Sequence, residues 1–391
     1  MITMYTARTQ EIDDVEAAIA EIKSQIDFSL LKKHTGGIIF CEIDAIESGM
    51  ISALCKALPF DVIGMTSMGS ACSKGHGFFD LSLTVLTSNE VSFMAGMSNS
   101  ITHDNFENEI DTLYKNMRGK VNADPSLIIS FMPMNGEIAG YKFVVAADKS
   151  TKGIPIWGSF ASSMNIVDYR TVGTFFCRNS EFGLGGITML FMNGPITPKF
   201  VINSLPEYNI SKTRGVVTKS DGATVQEIND IPALDYFSNM GIQVTAENVR
   251  ATPLIVYHNG RTEPVALAFY TVNEDGSILV GCAVPEGCSV AVGGISADTI
   301  TESCNLGLDD ILAIKERDAV LMLPCVSRGV MMVPNQDDEL RLVKERLTQE
   351  NVPFVMGYAG GEICPVYSTG RDGTVTVKNQ FHNYTFCACV L

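Results

Sequence analysis

Asp61–Gly69 reads DVIGMTSMG, and Pro155–Ser163 reads PIWGSFASS. Each is a short apolar run that crosses a glycine and ends in small residues. Runs of this length suit buried strands entering loops. Their surroundings correspond as well. Upstream of the first lie the β-rich Gly36–Ile43 (GGIIFCEI) and a helix expected over Ser48–Leu58, with Met50, Leu54 and Leu58 aligned. Upstream of the second lie a strand expected over Leu127–Phe131 and a helix over Ile138–Ala147, which the β-branched Val144 and Val145 weaken. Paired strands are expected after each: Leu81–Leu86 with Val91–Gly96, then Arg170–Cys177 with Gly185–Met192. Loops are expected over Thr66–Gly77 and Ser159–Asn165.

The pattern echoes a third time near the C-terminus. Ala319–Pro324 (AVLMLP) reads as a buried strand, and Asp337–Leu347 as a helix with Leu340, Val343 and Leu347 on one face. Acidic residues open that helix and Arg341, Lys344 and Arg346 follow, as its dipole favours. Pro353–Tyr358 is the next strand, and Thr374–Lys378 and Phe381–Leu391 close the chain. Internal repetition carries weight in deciding a fold. The expectation is an α/β fold: repeated strand–helix–strand–strand units form mixed sheets flanked by helices, in two halves.

Working outward, Ile12, Val15, Ile19, Ile22 and Ile26 fall at helical spacing, which marks 1–29 as an N-terminal helical segment. The polar stretch Lys219–Gly222 suggests a division near 220–230, between units at 30–225 and 226–391. The stretch Asp230–Gly294 is β-rich, with a hairpin of Ala266–Val272 and Ser277–Val284 about the turn Asn273–Gly276. A ligand cleft is expected where the halves face each other.

Composition excludes several functions. With 28 basic against 44 acidic residues the net charge is −16, which repels nucleic-acid backbones and anionic membranes. No apolar run reaches the length of a membrane span, and no signal-peptide pattern opens the chain. Eleven cysteines, odd in number and without a CxxC pair, read as buried thiols in a reducing cytoplasm. Neither a zinc ribbon nor a phosphate-binding GxxxxGK[ST] loop is present, so no metal site and no nucleotide hydrolysis are expected.

Several motifs resemble those of the FIST family. Gly357-Tyr358, Gly361-Glu362-Ile363 and His382-Asn383-x-Thr385 are similar to the signature of the FIST C-terminal domain. Pro285-Glu286-Gly287 and Cys325-x-x-Arg328 resemble two further elements of that domain. VIGMTSMGS resembles the family's N-terminal strand and loop. Here the chain departs from the pattern: Met65 stands where the family often has Cys, Ser70 where it often has Glu, and Gly158-Ser159-Phe160 lacks a double glycine. The likeness spans roughly residues 30 to 391, which makes 30–225 a FIST N-terminal-type and 226–391 a FIST C-terminal-type domain.

The resemblance implies a sensory protein that binds a small ligand, amino acids and small carboxylates among the options, and signals to a partner in trans. It also implies an alternative, a haem-dependent nitric-oxide sensor. The residues themselves leave a third reading open, an uncharacterised enzyme using Glu362 and His382. No catalytic set can be assembled from the sequence. The ligand-binding candidates are Arg328, Gly361, Glu362, Asn383, Thr385, Thr66 and Ser67. Glu362 either anchors a ligand or caps its own turn. Arg328 either clamps a ligand carboxylate or pairs with Glu362. Thr66 and Ser67 offer an anion a small hydroxyl loop or form a plain turn. His382 would hold haem iron, move a proton or donate to a carbonyl. If Phe381–Leu391 is a regular strand, Asn383 and Thr385 face away from His382 unless a bulge intervenes. No cofactor other than this possible haem is called for.

Overall fold

The computed structural model describes residues 1–134, 138–163, 172–179, 181–245, 251–257, 264–369 and 375–391. Residues 164–165 of the loop expected after the strand Ile154–Gly158, the starts of the strands expected at Arg170 and Thr374, and His258 lie outside them.

Three six-stranded mixed sheets surround one core. Each contains one parallel pair whose strands are joined by helices. In the first sheet His34–Cys41 pairs with Asp61–Thr66 through the helices Ile43–Glu47 and Met50–Ala57. In the second, Leu127–Met132 pairs with Ile156–Phe160 through Gly140–Thr151. In the third, Val320–Met322 pairs with Phe354–Gly357 through Val326–Met331 and Asp338–Gln349. These strands are apolar on both faces because both faces are covered. Inner faces meet in a core that includes Phe40 and Met65 from the first sheet, Phe131 and Trp157 from the second, and Leu321 and Val355 from the third. Outer faces carry helices. Ile51 and Leu54 pack on Val62, Ile110 and Phe143 on Ile128, and Leu308 and Leu340 on Phe354.

Several expectations change. The N-terminal segment is not helix alone: the strand Thr3–Thr9 comes first and edges the first sheet. The helix itself runs Val15–Ser24, with the Asp14 side chain accepting from the Ala17 amide, so Ile12 and Ile26 flank it. The loop expected over Thr66–Gly77 contains a hairpin, Ser70–Cys72 with Gly75–Gly77. Its first strand joins the third sheet, placing Ser70 opposite Gly357 and Cys72 opposite Val355.

The closing strand is broken. Phe381–His382 belongs to the second sheet and Phe386–Val390 to the third, and between them Tyr384 takes a φ of 56°. The two-sided alternation expected across 381–391 therefore holds only within each piece. The polar stretch Lys219–Gly222 is part of a sheet. It lies at the turn of a hairpin, Gly215–Asp221 with Thr224–Ile228, inside a fourth, antiparallel sheet. The expected 266–284 hairpin is there too, as Phe269–Val272 with Ile278–Val280.

The helices Phe106–Arg118 and Ala297–Ala313 were not anticipated, though the second opens on a capping box between Ser296 and Thr299.

The close approach of the second parallel pair rests on one glycine. A Cβ at Gly158 would lie 1.8 Å from the Ser130 carbonyl oxygen, whereas one at Gly294 meets nothing within 4 Å. Gly158→Ala should cost about 3 kcal/mol in urea denaturation, and Gly294→Ala less than about 0.5 kcal/mol. Equal stabilities for the two variants would contradict this packing.

Candidate functional site

Each parallel pair ends in the same way. The amide one or two residues beyond the second strand reaches back to the end of the first: Ser67 to the Cys41 carbonyl at 2.9 Å, Ala161 to Met132 at 2.8 Å, Ala359 to Pro324 at 2.9 Å. The three loops that begin there meet one another. The Ser162 amide donates to Thr66 at 2.9 Å, Gly360 to Phe160 at 2.8 Å, Phe160 to Gly361 at 3.1 Å and Tyr358 to Gly69 at 3.2 Å. The Ser162 hydroxyl donates to the Tyr358 carbonyl at 2.7 Å, and the Ser67 hydroxyl lies 3.0 Å from the same oxygen. Small residues are required for this approach. A Cβ on Gly360 would come within 2.6 Å of the Ala161 carbonyl, and Gly361 holds a φ of 130°. The carboxyl ends of all three parallel pairs thus converge, and in open α/β sheets such ends are where ligands bind.

Glu362 leads out of this junction into the second sheet, opposite Ser159 on one side and His382 on the other. It is fully buried. The Thr385 hydroxyl donates to its Oε2 at 2.7 Å, and its Oε1 has no partner among the described residues. Burial, together with the nearby Cys387 thiol, pushes this carboxyl well above the usual range. Hydrogen bonding, that of the Thr385 hydroxyl first, opposes that push without reversing it. Trp157, buried in the adjoining strand, likewise keeps an unpartnered indole N–H. Thr66 is buried, its hydroxyl accepting from the Gly173 amide at 3.0 Å.

The other candidates are placed differently. Arg328 does not pair with Glu362. Its Nε and Nη2 donate to Glu339 Oε1 at 2.9 and 2.6 Å, Nη2 also to the Ile300 carbonyl, and Nη1 to Ser303 and the Tyr384 carbonyl. Burial works against this charge, but Glu339 outweighs it and holds the guanidinium above its ordinary value. The Tyr358 hydroxyl takes the second Glu339 oxygen at 3.1 Å. With every N–H engaged, Arg328 has none left for a ligand carboxylate. Asn383 acts as a strut, its Nδ2 donating to the His382 carbonyl at 2.8 Å and its Oδ1 accepting from Ala268 of the fourth sheet at 3.4 Å.

His382 is 2% exposed and its Nε2–H donates to the Cys364 carbonyl at 3.0 Å. An axial haem ligand needs a free ring nitrogen facing an open apolar slot. Buried and bonded in this way, His382 does not fit that role.

Two acids of this region carried no signal in the sequence. Glu42 follows directly on the first parallel strand. Burial pushes its carboxyl up to about 8, and its Oε1 has no partner. Asp80, pushed by burial up to about 6, accepts from Arg8 and Ser70. Two open depressions lie elsewhere. One of about 390 Å³ is bordered by Arg8 and Lys74, and one of about 270 Å³ by Glu109 and Arg178.

Comparison with protein families assigns residues 35–231 to the FIST N domain and 233–365 to the FIST C domain. The chain belongs to the FIST family. FIST domains are described as small-ligand-sensing domains of signal transduction. No curated protein matches the sequence. The two FIST matches adjoin at Ile231–Pro232, a strand of the fourth sheet, so the domain boundary is crossed by hydrogen-bonded strands. Beyond the FIST C match, Phe381–His382 and Phe386–Val390 complete the second and third sheets.

Removing one member of a buried ion pair strands the other. Arg328→Met should cost about 3–5 kcal/mol in chemical denaturation, and adding Glu339→Leu should recover part of it. A single variant as stable as the parent would show that the pair is dispensable. Stability should also fall as pH rises from about 6.5 to about 8. Glu42, ordinarily near 4.5 but raised in the fold, binds a proton in the folded state that the unfolded state has released. His76, held below 6.5 chiefly by burial, acts in the opposite sense only below that window. Denaturation across the range should show the decline, and Glu42→Gln should make it shallower, with Glu362, raised in the same sense, sustaining the rest; a rise would contradict the assignment.

Proposed function

We propose that this FIST protein is a cytoplasmic small-ligand receptor for signal transduction whose site lies where the three parallel strand pairs end. One observation carries the reading. At that junction a fully buried carboxyl, Glu362, retains an oxygen with no partner among the described residues. A buried polar group without a partner is costly, and in native proteins it calls for an explanation such as a bound polar group. Trp157, two residues from Ser159 in the adjoining strand, also has an N–H unpartnered among the described residues, and a ligand offering both a donor and an acceptor suits these two groups. Thr66, Ser67, Gly361 and Thr385 frame it, while Asn383 holds the frame to the fourth sheet.

The loops are tied together by the hydrogen bonds given above. A ligand enters in the population whose loops have parted, and it stabilises that population by its preference for it. Because the loops belong to three different sheets, parting them shifts the sheets against one another, a change that a partner protein reads. All eleven cysteines are unbridged, which suits a reducing compartment.

Thermal-shift and calorimetric titration against amines, amino acids and small carboxylates tests the reading. Glu362→Gln keeps the shape of the neutral acid, so it should preserve the fold yet weaken the ligand that binds by about tenfold. A broad panel without a binder, or a binder indifferent to Glu362→Gln, would end it.

A further inference from the structure

The depression of about 390 Å³ beside Arg8 is a different place, and its side chains are unequally occupied. Arg8 is held rigidly. Its Nε donates to Asp80 Oδ2 at 2.6 Å and its Nη2 to the His76 carbonyl at 3.1 Å. Asp80 is buried and accepts in turn from Ser70 Oγ at 2.9 Å. Glycines make room for the guanidinium: a Cβ at Gly75 would stand 3.1 Å from Nη1, and one at Gly77 3.0 Å from Nη2.

Each acid of the rim has one oxygen in a hydrogen bond, and one amide is engaged at both ends. Glu11 Oε1 accepts from the amides of Asp13 and Asp14, and Glu21 accepts from the Thr9 hydroxyl. Gln25 spans the Arg8 backbone with both ends of its amide. Three donors remain. Among the described residues Arg8 Nη1, the Lys74 ammonium and the Gln10 side chain make no hydrogen bond or ion pair. Arg8 shares its charge with Asp80, and Lys74 is a cation with no ion pair among the described residues, so three side-chain donors face one depression and offer an anion their N–H groups. The volume lies within the range of small-molecule sites.

Arg8 also stands at the start of a short relay. Ser70, at the far side of Asp80, belongs to the strand Ser70–Cys72, which pairs with Phe354–Gly357 and so joins the first sheet's connection to the third sheet. We propose that this depression binds a small carboxylate- or phosphate-bearing anion through Arg8, Lys74 and Gln10, and that its occupancy is transmitted through Asp80 and Ser70 to the joint between the two sheets. The anion competes with Asp80 for the Arg8 charge, so binding alters the hold of Asp80 on Ser70. This site is independent of the one at Glu362.

The test is calorimetric titration of the full chain with inorganic phosphate, acetate and citrate, with methylammonium as the cationic control, all at one ionic strength. Hydrogen exchange is followed in parallel. At least one anion should bind. Lys74→Glu, at an exposed position, should weaken it about tenfold with an unchanged melting temperature. Arg8→Lys should weaken it further, and if that variant fails to fold, Gln10→Leu with Lys74→Glu still decides. Bound anion should change exchange at Ser70–Cys72 and Val355–Gly357. Binding of none of the three anions, binding insensitive to Lys74→Glu, or preference for methylammonium would overturn the anion site. An anion that binds without altering exchange at those two strands would overturn the relay.

Discussion

A strand at the edge of a sheet leaves a row of backbone N–H and C=O groups that must find partners. In this chain two such rows are satisfied across the FIST N and FIST C matches. Ser70–Cys72 supplies the neighbour of Phe354–Gly357, and Glu362–Ile363 supplies the neighbour of Ile156–Phe160. The donations run in opposite directions, so each part completes a sheet of the other. The rest follows from this exchange. The loops that carry the donated strands must pass one another at close range, which is why Gly69, Ser162, Gly360 and Gly361 are small and why their backbones are tied by hydrogen bonds.

The same crossing brings polar groups into an interior that is otherwise apolar. Two solutions coexist a few residues apart. Around Arg328 the polar groups satisfy one another: Glu339, Ser303 and two carbonyls take its donors, and Tyr358 takes the remaining oxygen of Glu339. Around Glu362 the account is left open, with one oxygen bonded to Thr385 and the other bare. A closed network of this kind fixes how elements fit together, while an open one leaves a group able to take a new partner. The Cys325-x-x-Arg328 and Gly361-Glu362-Ile363 motifs therefore do different work. The first braces the third sheet against its helices, and the second leads from the strand junction into the second sheet.

Legibility followed sequence distance. Runs such as GGIIFC, LIISF and FVMG were readable as strands because both their faces are buried, and the helix Asp338–Gln349 because it keeps one apolar face. The helix Ala297–Ala313 carries its own signal, with Ile300, Cys304, Leu308 and Ile311 along one side, but Gly307 and several hydroxyl residues dilute it. Gly307 is there because a Cβ would strike Phe386 of the third sheet, a contact no local pattern records. The hairpin after Thr66 looked like a loop because it is short and glycine-rich, and its partner strand comes nearly three hundred residues later. The seven candidates drawn from motifs were real neighbours only in part. Thr66, Ser67, Gly361, Glu362 and Thr385 gather near the junction, whereas Arg328 belongs to a different network and Asn383 to the support of the fourth sheet.

Local patterning by itself determined the strand–helix–strand units, the acidic surface and the motifs that mark a FIST chain, because each depends on neighbours within a few tens of residues. Which sheet a strand joins, which acid meets Arg328, and the burial that raises the Glu362 and Glu42 carboxyls were decided only by the tertiary structure. Those outcomes depend on backbone edges and on the exclusion of water, which exist only once distant segments have packed together.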